Sequence, residues 1–379
     1  MLKNRIAVSI LFGVNGFLSA NFIARLPLLQ STHGLDNSGI GMVLLVSAIG
    51  ALVAMPFTGW LIVGNGSRRI SAAASMLLCM IVAMMGLMPN AVFLGLLFFV
   101  LGLSTGTMDV AMNAQAVMVE QGFKRPIMTS FHAIFSAGMM LGAGSGALFT
   151  YLETSLKWHL FIVASFSFLL VLWAIFNLIR DARTVGGQIS QHRFQLPEAS
   201  LVGVGLIAFC CMLGEGAMAN WSTNYMLNIA QAGVAFAPLG LATFSLAMMF
   251  ARFFGDRARA QMGDRSLMIR SSIVAAFGLG LVLLLPNPFI VLLGLFLVGL
   301  GLSVIVPIAY STAGNAPGLS PGVGIGMVTT IGYAGFLLGP PIIGFLADWQ
   351  SLRVALLFTL ALFVVMTMLS FRFRQVTGS

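Results

Sequence analysis

The chain has 379 residues, of which 59% are hydrophobic and 8% charged, at a mean hydropathy of +1.01. That is more apolar surface than a soluble fold of this size can cover, so lipid must be the solvent for most of it. A net charge of +9 would suit nucleic acid, but the basic residues sit at alternate ends of apolar runs, which is a topology signal and not a nucleic-acid footprint.

Twelve apolar runs follow one another, each near the roughly 20 residues that a crossing helix needs. In chain order they cover 6–29, 40–63, 70–88, 91–117, 127–152 and 158–179, then 201–228, 237–254, 267–285, 289–311, 323–347 and 354–371. Threading them from a cytoplasmic start leaves only Arg25, Lys157 and Arg353 of the 19 basic residues on the outer side, so both termini are expected in the cytoplasm. Lys3 and Arg5 precede an apolar stretch with no small-residue cleavage site, which reads as a retained first helix and not a secretory signal. Cys79, Cys210 and Cys211 all fall inside apolar runs, without metal-ligand spacing, and are expected to be packing residues.

The longest hydrophilic stretch divides the spans six and six. It predicts an N-terminal bundle over 1–180, a central cytoplasmic linker over 181–199 and a C-terminal bundle over 200–379. A duplication explains the spacing of several short matches. At an offset of 197, Leu141-Gly142-Ala143-Gly144 meets Leu338-Gly339-Pro340-Pro341, Gly138 meets Gly335, and Gly66-Ser67-Arg68 meets Gly263-Asp264-Arg265. At 199, Ala20-Asn21-Phe22 meets Ala219-Asn220-Trp221. The expectation is an all-α membrane protein of 12 transmembrane helices in two pseudo-symmetric six-helix bundles.

Gly59-Trp60-Leu61 through Gly66-Ser67-Arg68-Arg69 resembles the signature loop of the major facilitator superfamily, and Gly255-Asp256-Arg257 through Gly263-Asp264-Arg265 resembles its second copy. Ala24-Arg25-Leu26-Pro27, Asp109-Val110-Ala111-Met112-Asn113 and Glu215-Gly216-Ala217-Met218-Ala219-Asn220-Trp221 resemble the bacterial YbjJ-type branch. The resemblance implies the two-lobed transporter fold and secondary transport by a multi-pass protein of the bacterial inner membrane. Val63 stands where the superfamily loop carries an acidic residue, so the first half is expected to lack an inter-lobe charge latch. Asp256, flanked by Arg252 and Arg257, is expected to form a cytoplasmic gate in the second half. Attraction of these charges to lipid headgroups is the plainer alternative.

A charge near the bilayer centre costs at least about 2.5 kcal/mol, so an ionisable residue inside a span must find a partner or water. Thr105, Asp109 and Asn113 recur every four residues on the fourth helix as one polar stripe, with Gly102 and Gly106 on the same side. A carboxyl group in a partly dehydrated place takes up protons more readily than one in water, so Asp109 is a candidate for proton coupling. His132 on the fifth helix falls at a similar depth and is a candidate relay, with Ser136 on its face. Glu215 lies mid-way along the seventh helix, too deep to snorkel. It is a second candidate for coupling, or else a ligand for substrate hydroxyl or amine groups. For each of these three the bland reading is a hydrogen-bonded packing residue.

Candidate substrate-binding residues are Thr105, Asn113, Asn21, Asn220, Trp221, Tyr333 and Arg25. Asn220 and Asn224 lie roughly opposite Glu215 on a straight helix, so a local break would be needed to bring all three to one wall. Trp221 suits either a stacked sugar ring or the aromatic belt, and Arg25 either an anionic group or a snorkelled interface position.

No Walker-type GxxxxGK[ST] and no metal-ligand spacing interrupts the spans, so no cofactor, no metal and no enzymatic activity are expected. The partners expected are a small-molecule substrate, protons and membrane lipids, with no nucleic acid, and the chain is expected to act as a monomer. The leading expectation is proton-coupled movement of a small polar solute by alternating access. Neutral sugar-like compounds are favoured, and a cationic drug or metabolite fits two carboxylates nearly as well. Proton-antiport export, a nontransporting sensor or scaffold, and an embedded enzyme are the alternatives.

Overall fold

The computed structural model describes residues 1–123, 127–180, 199–314, 316 and 321–373. Lys124, Arg125, Arg183, Arg193, Arg374 and nearly all of the expected linker lie outside them. Regular structure among the described residues is helical: α1 (Leu2–Ala24), α2 (Leu26–Thr32), α3 (Asn37–Asn65), α4 (Ser67–Met85), α5 (Ala91–Phe123), α6 (Met128–Tyr151) and α7 (Leu156–Asn177), then α8 (Ala199–Asn228), α9 (Leu239–Met262), α10 (Asp264–Leu284), α11 (Pro288–Leu302), α12 (Ile305–Gly314), α13 (Pro321–Trp349) and α14 (Leu352–Arg372).

Two of the expected spans are divided, each for a stated chemical reason. Pro27 has no N–H for the Ile23 carbonyl, so the first span breaks at Arg25 into α1 and α2. Pro307 likewise cannot serve the Ser303 carbonyl, and the tenth span breaks at Ser303 into α11 and α12. Elsewhere side chains close helix starts. Asp36 accepts from the Gly39 amide at 2.7 Å, and Ser351 accepts from the Val354 amide at 3.3 Å.

Eleven helical stretches among the described residues are long and apolar enough to cross a membrane, and Leu239–Gly255 of α9 is a shorter apolar run. α9 as a whole runs 24 residues, with Arg252, Arg257 and Arg259 in its second half. The exterior is apolar, unlike that of a soluble protein. Phe176, Phe253 and Phe289 are 76%, 72% and 72% exposed, whereas His159, Gln115 and Ser75 are each 0% exposed. Large apolar side chains therefore face outward to lipid as well as inward, and a minority of buried polar side chains is set within an apolar core.

The chain forms two compact units, Met1–Gly187 with Gly233–Ala242, and Gln188–Ala232 with Thr243–Ser379. Within the first, α1 packs along α6, α3 along α5, and α4 against α5 and α7. Within the second, α8 packs along α13, and α10 against α11 and α14. The repeat seen as matched letters is also a repeat of backbone geometry. Gly66 (φ 83°, ψ 146°) joins α3 to α4, and Gly263 (φ 71°, ψ 158°) joins α9 to α10. Both occupy a region that residues with a Cβ avoid. A Cβ on Gly138 would strike the Gly13 carbonyl of α1, and a Cβ on Gly335 would strike the Phe209 carbonyl of α8. Each unit thus uses one matched glycine to bring two long helices into backbone contact.

Candidate functional site

The polar stripe on α5 forms as its spacing predicts. Asn113 Nδ2 donates to the Asp109 backbone carbonyl at 2.8 Å and to Asp109 Oδ1 at 3.2 Å, and all three stripe residues are half-buried. Thr105 donates to the Gly102 carbonyl at 3.2 Å. Gly102 and Gly106 seat α5 against the Ser47 and Ala51 carbonyls of α3, so one flank of the stripe is a helix contact. Two ion pairs are found among the described residues, Arg252–Glu215 and Arg259–Asp264, and Asp109 belongs to neither.

His132 sits on α6 with its ring edge-on to Phe12 of α1, centroids 5.3 Å apart. Its backbone carbonyl accepts from Ser136 Oγ at 3.2 Å. The structure does not join His132 to Asp109 by a hydrogen bond; Asp109 is bonded within its own helix.

In the second unit, Arg252 Nη2 of α9 lies 3.2 Å from Glu215 Oε1 of α8. The two side chains keep 17% and 27% of their exposure, so the pair is neither sealed nor free in water. Both residues fall near the middle of their helices. Arg252, expected to flank Asp256 in a gate, pairs across helices with Glu215, a carboxylate at similar depth, and its relation to Asp256 lies outside the described residues. Cys211, one turn before Glu215, donates to the Leu302 carbonyl at 3.4 Å, at the end of α11 where the tenth span breaks.

α8 is continuous, so Asn220 and Asn224 stay on the side away from Glu215. Asn220 donates back to the Gly216 carbonyl at 2.8 Å, and Asn224 accepts from Asn228 at 3.2 Å. Trp221 is 1% exposed, with its indole N–H unpartnered, which places it inside the unit and not in an aromatic belt. Tyr333 is half-buried on α13.

Asn21 and Arg25 are drawn into a closed network with a residue that sequence reasoning missed, His159 of α7. Arg25 Nε donates to His159 Nδ1 at 3.0 Å and Arg25 Nη2 to the Thr154 carbonyl at 2.8 Å. A guanidinium can only donate, so His159 carries its proton on Nε2 and gives it to Asn21 Oδ1 at 2.8 Å. Ser145 of α6 donates to the same oxygen at 2.8 Å, and Phe149 stacks on the imidazole at 4.4 Å. Asn21 and Arg25 are 0% and 5% exposed. Arg25 is therefore neither snorkelled nor open to a vestibule; the network clamps the α1–α2 break to α6 and α7. The available signal was His159 itself, a histidine inside an apolar run.

At the second signature loop, the Asp256 side chain lies outside the described residues and Arg257 is exposed. The contact found there is another one. Arg259 Nη2 donates to Asp264 Oδ2 at 2.8 Å and to Ser311 Oγ at 2.7 Å, tying α9, α10 and α12. At the first loop the tie is Gln115 of α5, which donates to Ser67 Oγ at 2.7 Å and to the Ile179 carbonyl at 3.0 Å.

Comparison with known proteins agrees with this architecture. Residues 8–214 and 204–379 match the profile of the Major Facilitator Superfamily. An uncharacterized MFS-type transporter of Yersinia pestis is 31% identical over 354 residues, covering 93% of this chain and 91% of the relative. The membrane protein MosC of Rhizobium meliloti is 32% identical over 369 residues, covering 95% and 87%. Among solved structures, the nucleoside transporter NupG superposes with a TM-score of 0.74 at 15% identity, over 98% of this chain and 99% of its own. A bacterial homologue of the human lysosomal transporter Spinster, inward-facing and unoccupied, superposes at 0.73 with 14% identity, over 97% and 95%. At such identities the likeness to the solved structures is one of fold.

Proposed function

We infer that this chain, which belongs to the Major Facilitator Superfamily, is a proton-coupled secondary transporter of a small polar solute, with Asp109 as the proton-carrying group. The observation that carries this reading is the contrast between its two mid-helix carboxylates. Glu215 is paired with Arg252 at 3.2 Å, whereas the Asp109 carboxylate has, among the described residues, one amide donor, Asn113 at 3.2 Å, and no cation. A mid-helix carboxylate that faces a guanidinium already has its charge compensated, whereas one without a cation leaves a proton as the compensating charge when its access to water changes. Coupling therefore falls to Asp109. The Glu215–Arg252 pair, still partly exposed, is assigned to recognition, where its remaining lone pairs and N–H groups suit hydroxyl-rich or amine-bearing solutes.

Alternating access is assigned to two six-helix lobes, 1–180 and 200–379, joined by the linker 181–199, in a bacterial plasma membrane with both termini cytoplasmic. Membership of the YbjJ-type branch is part of the same proposal, and it rests on the matched residues around Arg25, Asp109 and Glu215. Whether net movement is import or export is decided by the same experiment. Purified protein is reconstituted in liposomes with an internal pH dye, and solute pools are screened under a pH gradient of either direction. Solute-dependent proton flux that is lost in Asp109→Asn supports the assignment. Gradient-driven accumulation that survives Asp109→Asn overturns it, and loss only in Glu215→Gln transfers the role to Glu215.

A further inference from the structure

A groove of about 480 Å³ runs along the first unit between α1, α6 and α7, away from the polar stripe on α5. It exists because the helix crossing beneath it is built from small residues. Gly13 on α1 and Ala137 and Gly138 on α6 supply almost no side-chain volume, so the larger neighbours Ile10, Leu141 and Phe166 stand up as walls. Leu141 and Phe166 are 59% and 56% exposed, so the groove opens toward the bilayer. Phe17 meets Phe166 edge-on at 6.4 Å and closes the far end.

The near end carries the lining's one charged side chain, Arg5. Its guanidinium stands 5.7 Å from the Phe123 ring and gives one long hydrogen bond, 3.5 Å, to Ser130 Oγ. A guanidinium has five N–H donors, so most of its capacity is unspent. Lys3, exposed, adds a second cation two residues away. From Ile6 to Phe17 the helix advances about 16 Å, which is about half the 30 Å thickness of a bilayer hydrocarbon core. The groove therefore has the length of one leaflet, an apolar floor and a cationic mouth.

We propose that this groove binds an anionic phospholipid, one acyl chain lying along α1 from Ile6 to Phe17 and the phosphate bonded to Arg5. The phosphate accepts from the planar guanidinium while the chain fills the furrow over Gly13 and Ala137. An ordinary surrounding lipid would have the second contact without the first. The headgroup charge is therefore what distinguishes a site from bulk solvation by lipid.

The test is native mass spectrometry of the delipidated protein titrated with phosphatidylglycerol or phosphatidylcholine of equal chain length. One phosphatidylglycerol should be retained per chain, at least tenfold more tightly than phosphatidylcholine. Arg5→Gln should abolish that preference and Arg5→Lys should restore part of it. Ala137→Phe, or Ser9→Phe from the opposite wall, should lower retention of both lipids by filling the furrow. Equal binding of the two lipids to the unaltered chain, or a preference that survives Arg5→Gln, overturns the proposal. So does unchanged retention in both furrow-filling variants, and so does competition by inorganic phosphate as effective as that by the lipid.

Discussion

Arg252 of α9 places its Nη2 3.2 Å from Glu215 Oε1 of α8, so the two charges that a bilayer would tolerate least neutralise each other between adjacent helices of one unit. α8 carries the acid with no base nearby in sequence, so the partner of Glu215 comes from the tertiary fold.

Removing either member takes an opposite charge away from the other at mid-helix depth. Glu215→Gln and Arg252→Gln should each lower the thermal unfolding midpoint in detergent, and the double variant should lose less than the sum of the two. The coupling energy expected for a contacting pair is about 1 kcal/mol or more. Additive losses, measured in a double-mutant cycle by thermal unfolding, would mean that the two side chains do not interact in solution.

The His159 network supports a second expectation. His159→Ala removes the acceptor of Arg25 Nε and the donor to Asn21 Oδ1, leaving a buried guanidinium one partner short. A loss of about 3 kcal/mol is in the range for breaking a buried, charge-assisted bond. Arg25→Lys should not be a conservative change. An ammonium cannot serve the imidazole and the Thr154 carbonyl in the fork geometry that Arg25 uses. Unfolding of the two variants followed by intrinsic fluorescence checks both, and a wild-type midpoint in Arg25→Lys would show that the fork is dispensable.

Much of the fold was legible because it depends on properties that a one-dimensional reading can measure. Apolar run length marks spans, the glycine pair Gly66 and Gly263 marks a repeated junction, and the i, i+4 spacing of Asp109 and Asn113 marks a bonded stripe. The breaks at Arg25 and Ser303 fall beside Pro27 and Pro307, but a proline in an apolar run does not by itself mark a break, since α3 continues through Pro56 and α13 through Pro340 and Pro341. Partnerships across helices were not legible. A sequence orders Arg252 and Asp256 along one helix and does not say that Arg252 also meets Glu215 of α8. Asn21 and Arg25 were read as lining a solute path for the same reason. What absorbs them, His159, is separated by more than 130 residues and lies on α7. Trp221 suits a stacked ring or the aromatic belt by residue type, and only the fold shows that it is 1% exposed.

The two signature-loop glycines allow an expectation that distinguishes backbone strain from ordinary small-residue packing. Gly66 and Gly263 combine φ of 83° and 71° with extended ψ of 146° and 158°, outside the left-handed helical well that asparagine tolerates. A Cβ at Gly263 would meet nothing within 4 Å, so there the cost of substitution is conformational and not steric. Gly263→Ala should therefore destabilise by about 1–3 kcal/mol, and Gly263→Asn should fare no better. If the position were a left-handed C-cap, asparagine would recover most of the loss. Comparing the unfolding midpoints of the alanine and asparagine variants separates the two cases, and an asparagine variant matching the unaltered chain would refute the extended positive-φ junction.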